Sequence, residues 1–173
     1  MVQEDKAGHE RAAGEPEGDY VRVSLKEIVN ELEDQNQDLR TFLNPRTGEV
    51  ITISSEEEEL ATGQSGFDPA PWQMEILEKV REVLASDEYL LLPGSRQIHE
   101  WAIMEDFCNS VSDERPRGDL LQAIHGRGAF KNFRYRAERY GLLERWYAFR
   151  TEAIADIVRE WLRARDIPFA EDL

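Results

Sequence analysis

The cluster of side chains best suited to catalysis comprises His99, Glu100, Glu105 and Asp106. An imidazole beside carboxylates can act in acid–base chemistry or bind a metal ion. His99 and Asp106 are seven residues apart, which on a helix places them on roughly one face but two turns away from each other. The segment begins His-Glu but lacks the second histidine of a zinc protease. We therefore interpret His99 as a helix-start residue with a structural hydrogen bond and assign no catalytic residue.

The sequence contains few ligands for a metal. His9 lies in the acidic beginning of the chain, so a folded domain retains His99 and His125. The single cysteine, Cys108, belongs to no metal motif and is interpreted as a small core residue. Serine-nucleophile motifs are absent. We predict no metal and no cofactor, and we lean against an enzyme.

The run Gly126–Phe130, with the sequence GRGAF, raises the question of a phosphate site. Glycines before a helix N-terminus can hold anions, and Arg127 would add positive charge. The run lacks the Lys-Ser/Thr pair and the third glycine of nucleotide-binding loops. We interpret it as a tight corner in which Gly126 ends one helix and Gly128 starts the next.

Arg127, Lys131 and Arg134 are spaced four and three residues apart, which places them on one helical face beside Phe130 and Phe133. Such a face could lie against a phosphate backbone. The formal net charge of −15 opposes long-range attraction to nucleic acid, so an ordinary solvated face is favoured. A nucleic-acid-associated factor that uses these three cations is an alternative.

Trp146, Tyr147 and Phe149 cannot all point inward from one straight helix. At least one should be exposed or pack under the hairpin, and exposed aromatic residues beside arginines are typical of protein-binding hot spots. If Glu100 faces inward, it needs a cation such as Arg127 or Arg134, because an unpaired buried charge is costly. The candidate binding or pocket residues are His99, Glu100, Arg127, Lys131, Arg134, Trp146 and Tyr147.

The elements that position these residues follow a disordered acidic head, residues 1–18. A short strand is predicted around Tyr20–Val23, and Ser24 with Glu27 forms a capping box for a helix. The apolar stripe of that helix is Leu25, Ile28, Val29 and Leu32. A hairpin follows, with strands Leu39–Leu43 and Glu49–Ile53 around a turn at 44–48.

Residues 56–71 are predicted to be a flexible insert, in which Glu56–Glu59 form a solvated acidic turn in preference to a calcium or partner site. Beyond it the pattern predicts a short strand at Tyr89–Leu92 and a series of helices. The first of these helices is Pro71–Ala85, with Trp72, Ile76, Val80 and Val83 on one face. The next two are capped by Ser95 and by Asp113, and the last two span residues 128–140 and 143–165.

The predicted fold class is therefore α+β: a small N-terminal antiparallel hairpin or sheet with one helix, then a mainly helical C-terminal bundle. Residues 19–168 form a single globular domain, and residues 169–173 form a tail.

From Ile98 the sequence contains IHEWAIMEDF, LLQAIHGRGAF, KNF, GLLERWYAF and WL. These segments resemble the motifs I-H-E-aromatic-x-x-M-x-x-F, G-basic-G-A-F and G-L-x-x-x-W-Y-x-F of a bacterial uncharacterised protein family. The hairpin sequence N-x-x-T-G-E also fits, and the resemblance covers about residues 20–167. The chain departs from the family in its acidic head and in the insert after Glu59. The resemblance implies membership but no activity, because the family has no assigned one.

Charge is unevenly distributed: residues 1–92 contain 22 acidic and 8 basic residues, a net of −14, whereas residues 93–173 contain 14 and 13, a net of −1. No apolar run approaches the roughly 20 residues of a transmembrane helix, and no signal peptide is apparent. We predict a cytoplasmic, non-catalytic interaction or regulatory protein that binds an unknown protein partner through its aromatic and basic C-terminal face. A small enzyme or ligand-binder around His99 and Glu100 is a second alternative. We predict no association with a membrane, and the sequence does not indicate an oligomeric state.

Overall fold

The computed structural model describes residues 20–34, 36–66 and 68–173, so the predicted disordered head lies outside the described residues. Within these ranges the elements are β1 Val23–Ser24, α1 Leu25–Glu33, β2 Leu39–Leu43, β3 Val50–Ser54, α2 Ser55–Thr62, α3 Met74–Ala85, β4 Leu90–Leu91, α4 Glu100–Ser110, α5 Glu114–Ala123, α6 Ala129–Arg139, α7 Leu143–Arg163 and β5 Phe169–Ala170. The α+β class with a mainly helical C-terminal part is confirmed.

Helix α1 begins where the cap predicts it. The Ser24 hydroxyl accepts a hydrogen bond from the Glu27 amide at 3.0 Å, which satisfies one of the free N–H groups of the first turn. All four members of the predicted apolar stripe are buried, namely Leu25, Ile28, Val29 and Leu32. Local sequence therefore determines both the start and the buried face of this helix.

The predicted hairpin forms with β2 at the centre of a three-stranded sheet. Strand β2 pairs antiparallel with β3, from Leu39 opposite Ser54 to Leu43 opposite Val50, and with β4 on its other edge. The turn is held by the Asn44 side chain, which accepts from the Arg46 amide at 3.0 Å. Gly48 adopts a φ of +80°, a conformation that favours glycine.

The segment predicted as a flexible insert begins with an ordered helix. Ser54 and Glu57 form a reciprocal capping box, and Gly63, with a φ of +74°, ends α2 after Thr62. The four adjacent glutamates are tolerated because three of them lie in the first turn, where the helix dipole favours negative charge.

The predicted apolar face of α3 is wrong at its beginning. Leu77, Val80 and Val83 are buried, whereas Trp72 is 73% and Ile76 is 46% exposed. The first turn, Pro71–Gln73, is a 3₁₀ helix. Its tighter winding changes the direction in which Trp72 points relative to the α-helix that follows.

Ser95 does not cap α4. The amides of Gln97 and Ile98 both donate to the Gly94 carbonyl, at 2.9 and 3.0 Å, and close a turn in front of the helix. Helix α4 therefore starts only at Glu100, with His99 as its N-cap residue.

The five residues predicted as a tail pack against the start of the domain. Strand β5 pairs parallel with β1, with Phe169 opposite Val23. The Asp172 carboxylate accepts from the Ser24 hydroxyl at 2.7 Å and from the Lys26 amide at 2.9 Å. The chain end thus supplies a second cap to α1, which no local sequence signal shows.

The main core lies between α1 and the C-terminal helices, and a smaller apolar cluster lies under the hairpin and α3. At the centre of the main core, Phe107 of α4 and Phe133 of α6 meet Trp146 of α7 edge to face, with ring centroids 5.4 and 4.8 Å away. Cys108 is fully buried beside them, and desolvation raises the pKa of its thiol to about 11. Cys108 is therefore a core residue, as interpreted from the sequence.

We expect Phe133→Ala to lower the free energy of unfolding by about 3–5 kcal/mol, because it removes a fully buried ring and leaves a cavity. Tyr135→Ala on the same helix is the matched control. Tyr135 is 65% exposed, so its removal should change the stability by less than about 0.5 kcal/mol. Urea denaturation of both variants tests this, and equal losses would contradict the assigned core.

Hydrogen bonds from the Lys26 amide and the Ser24 hydroxyl lower the pKa of Asp172 below its ordinary value of 3.8. The stabilisation by Asp172 is therefore complete above that ordinary value and is lost as the pH falls through the lowered folded-state pKa. Asp172→Asn should reduce the urea midpoint at about pH 7, and the difference from the unmodified protein should shrink at about pH 2. A difference that does not change with pH would contradict the tail contact.

Candidate functional site

A pocket of about 470 Å³ opens where the end of α1, the start of α4, α6 and α7 meet. We call it the helix-junction pocket. Its lining residues are Leu32, Glu33, Asp34, Ser95, Ile98, Glu100, Phe130, Arg134, Trp146, Tyr147 and Arg150.

Arg150 holds one side of the pocket together. Its Nε donates to Glu100 Oε1 at 2.6 Å, and its Nη2 donates to the Glu33 carbonyl at 2.7 Å. Thr151, the next residue, donates to the Glu33 carboxylate. Because the C-terminal carbonyls of a helix carry partial negative charge, the end of α1 is a favourable place for this guanidinium. Arg150 thus joins α7 to the end of α1 and to the first turn of α4.

The aromatic walls differ in exposure. Trp146 is fully buried, whereas Phe130 is 43% and Tyr147 is 39% exposed. This confirms that the aromatic residues of α7 do not all face the core. The indole N–H of Trp146 meets no acceptor among the residues that the structure describes.

Arg134 is the cation at the pocket that remains available. It is exposed on α6, one turn after Phe130, and forms no ion pair within the described ranges. Lys131 and Arg127 also lack ion pairs there. The contrast is Arg159 on α7, which bonds three carboxylates, those of Glu152, Asp156 and Glu171.

These three cations belong to a locally basic region. Residues 114–139, which span α5 and α6, contain seven basic and three acidic residues, a net of +4 in a chain of net charge −15. Within this region Arg136 is used internally, since it donates to the Asp119 carbonyl at 2.8 Å. Arg127 lies before α6, so the prediction of one helical face for all three cations is wrong for this residue. We call Phe130, Lys131 and Arg134, together with Arg127 in the corner before the helix, the α6 face.

The structure brings four of the seven predicted site residues together at the pocket: Glu100, Arg134, Trp146 and Tyr147. His99, Arg127 and Lys131 do not line it. His99 is exposed and its side chain makes no capping hydrogen bond. Arg127 lies in the corner between α5 and α6, flanked by Gly126 and Gly128 with φ values of +86° and +78°. The corner interpreted from the GRGAF run is therefore present.

The predicted partner of Glu100 is wrong: it is Arg150, not Arg127 or Arg134. One sequence signal could have indicated this, because Arg150 follows Trp146 by four residues and so lies on the same side of α7. Glu33 carried no such signal, since its role depends on the packing of α1 against α7.

The described ranges contain neither a cluster of metal ligands nor a helix that could span a membrane. No three His, Cys, Asp or Glu side chains there converge closely enough to bind a metal ion. None of the helices in these ranges combines the length and apolar character that crossing a membrane requires.

The architecture defines a mainly helical α+β protein with an open pocket at the junction of four helices. The model of the uncharacterised protein family UPF0158 matches residues 22–173, so the chain belongs to this family. The match confirms the resemblance inferred from the sequence. Because the family is uncharacterised, membership assigns no activity.

A similar protein is the UPF0158 protein PA5073 of Pseudomonas aeruginosa. It is 27% identical over 127 residues, which cover 73% of this chain and 72% of the relative. No solved structure matches the chain.

The Glu100–Arg150 pair generates a stability prediction. With 28% of the Glu100 and 17% of the Arg150 side chain exposed, Glu100→Gln should cost about 1–3 kcal/mol, because Arg150 loses its charged partner. The control is Glu88→Gln, whose pair with Arg46 spans 3.7 Å between side chains that are more than half exposed. Its cost should stay below about 0.5 kcal/mol in the same denaturation experiment. Equal costs would contradict a structural role for the pocket pair.

Proposed function

We propose that this chain is a non-catalytic interaction protein that binds a segment of another protein at the helix-junction pocket and the adjoining α6 face. The observation that carries the proposal is the unpaired Arg134 between exposed Phe130 and Tyr147 at the mouth of the pocket. Aromatic and arginine side chains around a pocket are typical of the residues that dominate binding energy at protein interfaces. A cytoplasmic location belongs to this proposal, and the single cysteine suits a reducing compartment.

The chemistry of the site defines the partner segment. The exposed rings of Phe130 and Tyr147, which line the pocket, suit an aliphatic or aromatic anchor side chain. Lys131 and Arg134 suit carboxylates that flank the anchor, because complementary charge speeds association and selects the partner. The segment is therefore an acidic one with an apolar anchor.

The Glu100–Arg150 pair supports this site without recognising the ligand. Both ends are satisfied, since the carboxylate and the α1 carbonyl occupy the guanidinium. Ser95 also lines the pocket, but no described histidine or carboxylate hydrogen-bonds its hydroxyl. The pocket thus offers binding groups rather than an activated nucleophile.

A small anionic molecule is the second candidate occupant. The pocket volume of about 470 Å³ lies in the range of small-molecule sites, and Arg134 would meet the anion. This alternative uses the pocket but does not need Lys131 or Arg127, which lie outside it. Nucleic acid is disfavoured, because the net charge of −15 opposes long-range attraction even where the α6 face is basic.

The test is affinity capture from native cytosol with the tagged chain, with and without nuclease, followed by cross-linking mass spectrometry. We expect to capture a protein partner that stays bound after nuclease treatment. Its cross-links to this chain should come from an acidic segment of the partner. Lys131→Glu combined with Arg134→Glu should reduce its recovery at least about tenfold, because like charges then face each other. Lys26→Glu, at an exposed and unpaired cation on α1, is the matched control and should leave recovery unchanged.

Circular dichroism and urea midpoints establish that each variant is folded. Equal recovery with the double variant and with the Lys26 control would contradict the α6 face. Loss of all partners on nuclease treatment would move the assignment to nucleic acid. A small anion that displaces the captured protein, with binding unaffected by Lys131→Glu alone, would favour the second candidate.

A further inference from the structure

A second exposed apolar surface lies in a negatively charged segment of the chain, in contrast to the basic α6 face. Trp72, Met74 and Ile76 are 73%, 42% and 46% exposed, so the first turns of α3 present large apolar side chains to solvent. Scattered exposed apolar residues need no explanation, but three within five positions beside a groove do.

The groove runs between α2 and α3 and encloses about 230 Å³. Its apolar lining residues are Leu60, Trp72, Ile76 and Leu77, and Glu56 lines it as well. The groove has the form in which an amphipathic segment inserts an anchor side chain. We call it the α2–α3 groove.

The charge around the groove is strongly negative. Residues 55–85 contain eight acidic and two basic residues, a net of −6. Some of the carboxylates are used within the fold: Glu57 caps α2, Glu58 pairs with Arg40, and Glu82 pairs with Lys79.

The remaining carboxylates near the groove have no such role. Glu56, Glu75 and Glu78 form no ion pair or side-chain hydrogen bond in the part of the chain that the structure describes. They are exposed, as is the neighbouring Glu59. Glu56, which lines the groove, is thus free to meet an external cation, and so are the exposed carboxylates of Glu75 and Glu78 on the adjoining helix.

We propose that the α2–α3 groove docks a basic amphipathic segment of a partner protein. An aliphatic side chain of that segment lies between Trp72 and Ile76, and its lysine or arginine residues pair with Glu56 and Glu75. The apolar contact supplies affinity, while the carboxylates select basic over acidic segments. This partner differs in charge from the one expected at the helix-junction pocket, so the two surfaces are independent.

The test uses the full chain and two synthetic amphipathic peptides of about 16 residues, roughly four helical turns. Both carry one leucine face; one is flanked by lysines and the other by glutamates. Binding is followed by NMR through the indole N–H signals of the tryptophans, with the Trp72 signal assigned from Trp72→Ala. We expect the basic peptide to shift the Trp72 signal and the acidic peptide to leave it unchanged.

Variants establish the site. Affinities of the variants are measured by titration calorimetry, which does not depend on the Trp72 signal. Trp72→Ala should weaken binding of the basic peptide at least about tenfold, and Glu56→Gln with Glu75→Gln about three- to tenfold. The controls are Tyr135→Ala, which removes an equally exposed aromatic ring, and Glu144→Gln, which removes an exposed and unpaired carboxylate on α7. Both controls should bind like the unmodified chain.

Three results would overturn the proposal. One is the absence of binding by the basic peptide. Another is binding that is indifferent to Trp72→Ala and disappears at roughly 0.3 M salt, which would show charge attraction alone. The third is a Trp72 signal that depends on protein concentration without peptide, with dimers in sedimentation, which would show that a second copy of the chain covers the groove.

Discussion

The burial of Trp146 is the constraint on which the geometry of the pocket depends. Its ring lies edge to face against Phe107 and Phe133, and this contact fixes the rotation of α7 relative to α4 and α6. Successive helical residues point about 100° apart, so with Trp146 inside, Tyr147 must turn toward the surface. Arg150, one turn further on, then lies on the pocket side, where it meets the end of α1 and Glu100. One hydrophobic contact thereby places both the aromatic wall and the ion pair.

The ion pair in turn joins the three helices at one side of the pocket. Glu100 of α4 supplies a carboxylate and Glu33 supplies a backbone carbonyl from the end of α1, and the guanidinium of Arg150 on α7 donates to both. A partly buried pair of this kind contributes little net stability but is expensive to break, so it fixes the positions of the helix ends relative to one another. The polar wall and the apolar wall are therefore both products of the rotation of α7.

Local signals were sufficient for much of the fold. The Ser24 cap, the α1 stripe, the hairpin and the GRGAF corner follow from residues within one element, and each is present. The errors arose where a local signal competes with its surroundings. The 3₁₀ turn at Pro71 alters the direction of Trp72, and the turn closed on Gly94 delays α4 beyond Ser95. The partner of Glu100 and the contact of Asp172 with Ser24 join residues far apart in sequence, which a single sequence without packing information does not reveal.

Negative and positive charge are concentrated in different segments of the chain. Its net charge of −15 arises largely before residue 93, whereas α5 and α6 carry a local net of +4. Some charged residues pair within the fold, as Arg159 and Lys79 do. Arg127, Lys131 and Arg134 are instead left unpaired within the described residues, and so are Glu56 and Glu75 at the far smaller groove. Each unpaired set lies near exposed aromatic or aliphatic side chains, and this combination is what supports the two binding proposals. Solubility alone would need the charges but not the apolar residues between them.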